Sequence, residues 1–247
     1  MKDELQHRQE ITAAGRRIYE RGYIAGGDGN ISVRLDGNRL LATPSGLSKG
    51  FLKPEDLVIT DMQGRKLSGQ KEPSSELKMH LLIYRRRPDA DAVVHAHPPA
   101  ATGYACAGLA LDRPLTAESV LTLGTVPLAA YATPGTNEVV ESLDALVAGH
   151  DAVLMANHGV VTFGVSLEQA LCRMETVEHI ANIGLVTEIL GRKNELDADA
   201  VQKLLQIRQR LLGGAQTRPV EDEDALVEAV TKEVLDRLGL SSGQETR

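Results

Sequence analysis

Two histidines two positions apart at the end of an apolar run, Val94-His95-Ala96-His97-Pro98, set the tightest limit on how this chain can fold. The preceding Asp91-Ala92-Val93-Val94 reads as a short buried strand. Side chains two apart on a strand point to the same side, so both imidazoles reach one point. His158 follows a second apolar run, Ala152 to Ala156, and can come from a neighbouring strand end. A lone H-x-H pair on an apolar strand is often structural. The third histidine, and the Pro, Gly or Ala after each of the three, suit the rim of a site better. Three neutral imidazoles leave a fourth position open, which is how catalytic zinc sites are built. Glu76, in Pro73-Ser74-Ser75-Glu76, is the carboxylate available for proton transfer. His7, His80, His150 and His179 read as ordinary helix, turn or terminal residues.

The 247 residues suffice for one α/β domain with a full core, and 42% hydrophobic content is that of a soluble globular chain. A net charge of −7 and the lack of a basic stripe argue against nucleic-acid binding. Arg85-Arg86-Arg87 reads as the end of a helix, where cations suit the dipole. The two cysteines, Cys106 and Cys172, have no metal spacing and point to a reducing compartment. No signal peptide and no membrane-length apolar run is seen, so a cytoplasmic chain without a membrane partner is expected. With no Trp and two Phe, the core has to be Leu, Val, Ile and Ala.

Along the chain, residues 3 to about 23 read as an amphipathic helix. Ile31 to Leu35 and Arg39 to Thr43 read as strands joined by the Asp36-Gly37-Asn38 turn. Leu57 to Asp61 and Lys66-Leu67 are two more short strands. A helix is expected from Ser74 or Ser75, with a serine cap, to about Arg87. Strand, helix and strand follow through residues 91 to 131. Asn137 to Ala148 is a helix, and Ala152 to Ala156 and Val160 to Phe163 are strands. A long helix runs from Leu167 to about Leu190, capped by Ser166 and ended near Gly191. Another covers residues 197 to 212. This mixture suggests an α/β sheet layered with helices.

Three small-residue segments, Gly29-Asn30, Ser45-Gly46 and Ser74-Ser75, offer backbone N–H groups and hydroxyls. The last opens a helix, whose N-terminus favours a phosphate dianion. Singly, turns and caps explain each; beside the metal constellation they suggest a phosphorylated small substrate.

Gly29-Asn30-Ile31-Ser32-Val33-Arg34, Thr43-Pro44-Ser45-Gly46, Pro73-Ser74-Ser75-Glu76, His95-Ala96-His97-Pro98 and Asn157-His158-Gly159 together resemble the class II aldolase/adducin superfamily, in order and spacing, over about residues 5 to 210. The enzymatic members most resembled are the L-fuculose-1-phosphate aldolases. The resemblance implies a three-layer α/β fold with a central, mainly antiparallel sheet flanked by helices. It implies one Zn2+ per subunit on His95, His97 and His158, with another divalent metal as an alternative. Glu76 would be the catalytic acid/base and also a metal contact when substrate is absent. Asn30, Ser45, Gly46, Ser74 and Ser75 would hold the phosphate, with Gly29 framing the loop. The implied reaction cleaves a ketose 1-phosphate to dihydroxyacetone phosphate and L-lactaldehyde. A 4-epimerase of L-ribulose 5-phosphate and a methylthioribulose-1-phosphate dehydratase are alternatives on the same metal site. Where the aldolases carry a tyrosine from the adjacent subunit, the stretch Pro114 to Ser119 carries Glu118. The family is tetrameric, so a homotetramer is expected.

The resemblance ends before the tail, and composition divides the chain into a domain over 1–212, a linker over 213–220, an amphipathic helix over 221–240 and a tail over 241–247. Leu226, Val230, Val234 and Leu238 recur at helical spacing. So short a helix needs a partner. It is similar to the encapsulation peptides of bacterial microcompartment cargo enzymes, which implies shell proteins as partners and the microcompartment lumen as a location. Packing on its own tetramer is the alternative.

Overall fold

Apolar residues at alternate positions go into a single eight-stranded sheet in the computed structural model, which describes residues 3–213. The strands are β1 (Asn30–Arg34), β2 (Arg39–Ala42), β3 (Val58–Asp61), β4 (Lys66–Ser68), β5 (Ala92–Ala96), β6 (Leu128–Ala129), β7 (Ala152–Met155) and β8 (Gly159–Gly164). Their order is β4-β3-β2-β1-β5-β8-β7-β6. Every pairing is antiparallel except β6 with β7. The helices are α1 (Glu4–Glu20), α2 (Leu77–Arg86), α3 (Pro99–Cys106), α4 (Ala117–Thr122), α5 (Glu138–Val147), α6 (Leu167–Leu190) and α7 (Ala198–Gly213).

Strand alternation sorts side chains between two cores. Ile31 and Val33 of β1 and Ala92, Val94 and Ala96 of β5 pack with α1, α3 and α6. Val93 of β5, Val161 and Phe163 of β8, and Val153 of β7 pack with α2 and α5. Helices therefore cover both faces of a mainly antiparallel sheet, the three-layer α/β arrangement expected.

Local signals set most boundaries. Asp3 and Gln6 form a reciprocal cap at the start of α1, which ends at Glu20 rather than Tyr23. The Ser166 side chain accepts from the Gln169 N–H, and Gly191 ends α6 at a φ of 66°, which glycine adopts without strain. Between 91 and 131 there are two helices, α3 and α4, rather than one. The start of α2 also differs. No serine caps it; the helix begins at Leu77, with Glu76 at the capping position but making no side-chain cap bond. Pro73 is bridged to Pro44, which holds the backbone extended until that point. Ser74 instead closes a tight turn, its Oγ accepting from the Glu76 N–H at 3.2 Å. The Glu76 carboxylate is thereby left free of the helix end.

Residues up to Gln209 belong to one compact unit, and a second begins at Arg210, inside α7. Apart from Gly213, the expected linker, amphipathic helix and tail lie outside the described residues. Among the described residues no helix is long and apolar enough to cross a membrane.

Candidate metal centre and active site

β5 and β8 are neighbours, and His95 stands opposite Val161 in their ladder. The turn from β7 into β8 carries His158, while His97 follows β5 by one residue. Asn157 makes that turn with a φ of 54°, a conformation asparagine tolerates. The potential ligand atoms of His95, His97 and His158 lie within 4.8 Å of one another. All three predicted metal histidines are thus brought together by two adjacent strands.

Their hydrogen bonds fit a bound cation. Nδ1 of fully buried His95 donates to the Val160 carbonyl at 2.8 Å, so a neutral ring presents its lone pair on Nε2. That Nε2 lies 3.1 Å from Nε2 of His97. His97 Nδ1 faces the Asp28 carboxylate at 3.5 Å, the kind of outer partner that orients a metal-binding imidazole. Two imidazole lone pairs this close repel unless a cation stands between them. Burial lowers the pKa of His95 and of His97, which favours the neutral, metal-binding form. The residues present fit a divalent ion held by three nitrogens.

Glu76 stands among these rings. Its Oε1 is 3.1 Å from His158 Nε2 and its Oε2 is 3.5 Å from His95 Nε2. Burial pushes the carboxyl pKa up. The His158 contact and a hydrogen bond from Asn30 outweigh burial and hold it well below the usual range. The Asn30 Nδ2 group donates to Glu76 Oε2 at 2.7 Å. Asn30 pairs with His95 across β1 and β5, so the sheet itself sets the carboxylate's partner beside the histidines.

The three small-residue segments are linked to one another. Ser45 N–H donates to the Glu72 carbonyl at 2.9 Å, just beyond the Pro44–Pro73 bridge. A Cβ on Gly27 would lie 3.6 Å from the Gly46 carbonyl carbon. Gly29 has a φ of 69°, and a Cβ there would lie 2.9 Å from the His95 carbonyl oxygen, so only glycine fits where the loop passes the metal strand. Ser75 lies beside Gly135, and Ser74 is half-buried. Tying the first two of these segments is Lys49, a buried side chain whose ammonium donates to the carbonyls of Gly27 at 2.6 Å and Leu47 at 2.8 Å. Burial lowers its pKa, opposed by the charges of Asp28 and Glu76.

Sequence reasoning misses Asp28, Lys49 and the buried partners of Asn30. A lysine between Ser48 and Gly50 reads as a surface residue, so no signal marks Lys49. Glu76, His80 and Tyr84 recur every four residues, a helical stripe that does carry a signal. Glu178 of α6 is a further support. Its two oxygens accept from the N–H groups of Ala100 and Ala101 at 3.1 and 2.9 Å, fixing the start of α3 just past His97.

A histidine triad with a carboxylate among its rings, set on neighbouring antiparallel strands beneath helices, defines an α/β protein that offers three clustered nitrogens beside a carboxylate. The Class II Aldolase and Adducin N-terminal domain matches residues 9–185, and the chain belongs to that family. A 3-oxo-tetronate 4-phosphate decarboxylase of Haemophilus influenzae is 39% identical over 213 residues, covering 83% of this chain and 98% of that protein. An L-fuculose phosphate aldolase of Methanococcus maripaludis is 36% identical over 174 residues, 69% of this chain and 92% of its own. The crystal structure of YgbL from Escherichia coli superposes with a TM-score of 0.78 at 36% identity, covering 83% of this chain and all of that one, 100%.

Proposed function

We propose that this chain breaks the carbon–carbon bond next to the carbonyl of a phosphorylated sugar acid or sugar, and that Glu76 protonates the carbon left behind. The observation that carries this reading is the Glu76 carboxylate itself, 3.1 Å from His158 and hydrogen-bonded by Asn30. A carboxylate in that position takes up and delivers a proton beside the reacting carbon. His95, His97 and His158 would hold Zn2+, whose Lewis acidity draws electrons toward the carbonyl. Gly29, Asn30, Ser45, Gly46, Ser74 and Ser75 would hold the phosphate. Asn30 keeps a second amide N–H, and Ser74 keeps its hydroxyl proton after accepting from Glu76 N–H.

For the substrate, 3-oxo-tetronate 4-phosphate is favoured. Loss of its C1 carboxylate as CO2 leaves an electron pair on C2 that the C3 carbonyl takes up as an enediolate. A proton that the Glu76 carboxylate takes from solvent and passes to C2 then gives dihydroxyacetone phosphate. Retro-aldol cleavage of L-fuculose 1-phosphate between C3 and C4 leaves the same enediolate, but it also needs a base for the C4 hydroxyl proton. Decarboxylation needs none. In the segment matching the family's aldehyde-side tyrosine, Glu118 stands on the exposed first turn of α4. Similarity to decarboxylases over 83% of the chain supports the same choice. The aldolase is the second reading, favoured by the Methanococcus relative.

A coupled assay for dihydroxyacetone phosphate tests this, with zinc-loaded protein, each precursor and an EDTA control. Metal-dependent triose phosphate with equal CO2 from the 3-oxo acid is expected. Release from L-fuculose 1-phosphate alone would move the assignment to the aldolase, and release from neither would overturn both. Glu76→Ala is expected to lower turnover by about 10²- to 10⁴-fold with metal still bound. Unchanged turnover would remove Glu76 from its role.

A homotetramer is proposed with this activity, supported by the exposed apolar residues Leu185, Val186, Ile189 and Leu190 late in α6. On sequence grounds, residues 221–240 are proposed to address the chain to a microcompartment shell. Removing 214–247 should then spare turnover and abolish co-purification with shell proteins. Shell binding that persists would refute the assignment.

A further inference from the structure

Glu76 is the outer end of a line of hydrogen bonds that runs into the core between β1 and α2. Asn30 Nδ2 donates to the Glu76 carboxylate at 2.7 Å. Asn30 Oδ1 meets Nε2 of His80. His80 Nδ1 lies 2.7 Å from Ser32 Oγ, which lies 2.9 Å from the Tyr84 hydroxyl. Asn30, Ser32, His80 and Tyr84 are all buried, His80 to 1% exposure. Two periodicities interlock to make the line. Asn30 and Ser32 alternate onto one face of β1, and Glu76, His80 and Tyr84 are spaced by four along α2.

The direction of every bond follows from the carboxylate. It can only accept, so the Asn30 NH2 must face it and the Asn30 oxygen must face His80. That oxygen can only accept, so His80 carries its proton on Nε2 and leaves Nδ1 as an acceptor. Ser32 O–H then donates to Nδ1, and Tyr84 O–H donates to Ser32. An asparagine amide by itself has no preference between its two flipped orientations. In the wrong one its oxygen would face the Glu76 carboxylate and repel it. The His80 N–H, facing the Asn30 oxygen, holds the right one, and the Ser32 hydroxyl donates to Nδ1 and so steadies the ring in that orientation. Burial disfavours the charged ring and keeps His80 neutral, as the line requires.

We propose that His80, held by Ser32 and Tyr84, is a positioning residue for the reaction: it locks the Asn30 amide with its NH2 toward Glu76 and so fixes the carboxylate that carries the proton. This rests on reading Glu76 as the acid/base. The same asparagine would then serve two ligands, Glu76 through one N–H and the substrate phosphate through the other.

Two measurements on the zinc-loaded full chain test it. The first is nitrogen-15 NMR of labelled histidines, with the His80 signals assigned by their loss in His80→Gln. The neutral Nε2–H tautomer is expected in the wild-type protein and in Ser32→Ala, which leaves the Asn30 oxygen in place. An Nδ1–H tautomer, or a charged ring at neutral pH, would overturn the line. This arm needs no substrate, so it decides the hydrogen bonding even if neither precursor is turned over. The second is kinetic. His80→Leu is expected to lower kcat by about 10- to 100-fold and to raise KM, because a flipped Asn30 amide also turns its second N–H away from the phosphate, with bound metal unchanged. His80→Gln, whose amide can donate to Asn30, should recover most of the loss. Ser32→Ala, which removes only a hydroxyl, should shift kcat in the same direction. Folded, metal-bound His80→Leu and Ser32→Ala proteins with wild-type kcat would refute the proposal. So would equal losses in His80→Leu and His80→Gln.

Discussion

Gly159 has no room for a side chain. A Cβ there would lie 2.5 Å from His97 Cδ2 and 2.6 Å from the Ala96 carbonyl oxygen. The Ala96 backbone cannot yield, because Ala96 pairs with Val160 in the β5–β8 ladder. The ring of His97 has to move instead. Gly159→Ala is therefore expected to weaken metal binding by about 10- to 100-fold while the far-UV circular dichroism is kept. Titration with zinc against a competing chelator reads this directly, and wild-type affinity would show that the ring has other room. At this scale the sequence is unevenly legible. His95, His97 and His158 stand out because strand alternation and strand ends are local properties. Asp28 and Lys49 do not, because what they touch is set by loops that meet only in the folded chain.

The packing of α2 on β1 makes stability depend on pH. Burial pushes the His80 pKa down to about 4, with the Glu76 charge opposing that effect. An unfolded histidine titrates near about 6.5. Between these values the unfolded chain holds a proton that the folded chain lacks. The contribution is complete above about pH 6.5 and is lost as the pH falls toward about 4, by which point about 3 kcal/mol of stability has gone. Urea unfolding of wild type and His80→Gln at pH 7 and pH 4 checks this. The wild type should lose more stability by about that amount, and parallel losses would contradict it. Elements as such are easy to read here. Long periodic stretches such as α6 carry both their cap and their stop in the sequence. The start of α2 is hidden because Pro73 is held extended by Pro44, a contact between segments far apart in the chain.

Across the whole unit, one carboxylate joins both helical layers to the sheet. Asp151, just before β7, is 2.8 Å from Arg87 beyond α2, 2.7 Å from Arg173 of α6 and 2.6 Å from Arg208 of α7. Asp151 and Arg173 are buried, so removing the acid leaves cations without compensation. Asp151→Ala is expected to cost about 3–5 kcal/mol, seen as a large drop in the thermal midpoint. An unchanged midpoint would mean that the arginines find other partners. The layered fold is legible from alternating strands and amphipathic helices, whereas this cluster is not, since its members come from four separate stretches of sequence. The sheet's two ends have a further consequence. β4 is three residues long and fully exposed, and β6 is two residues long. Neither rim presents enough unpaired backbone for a foreign strand to zip onto. Through the described residues, ordered association of copies is therefore expected to use side chains rather than sheet extension.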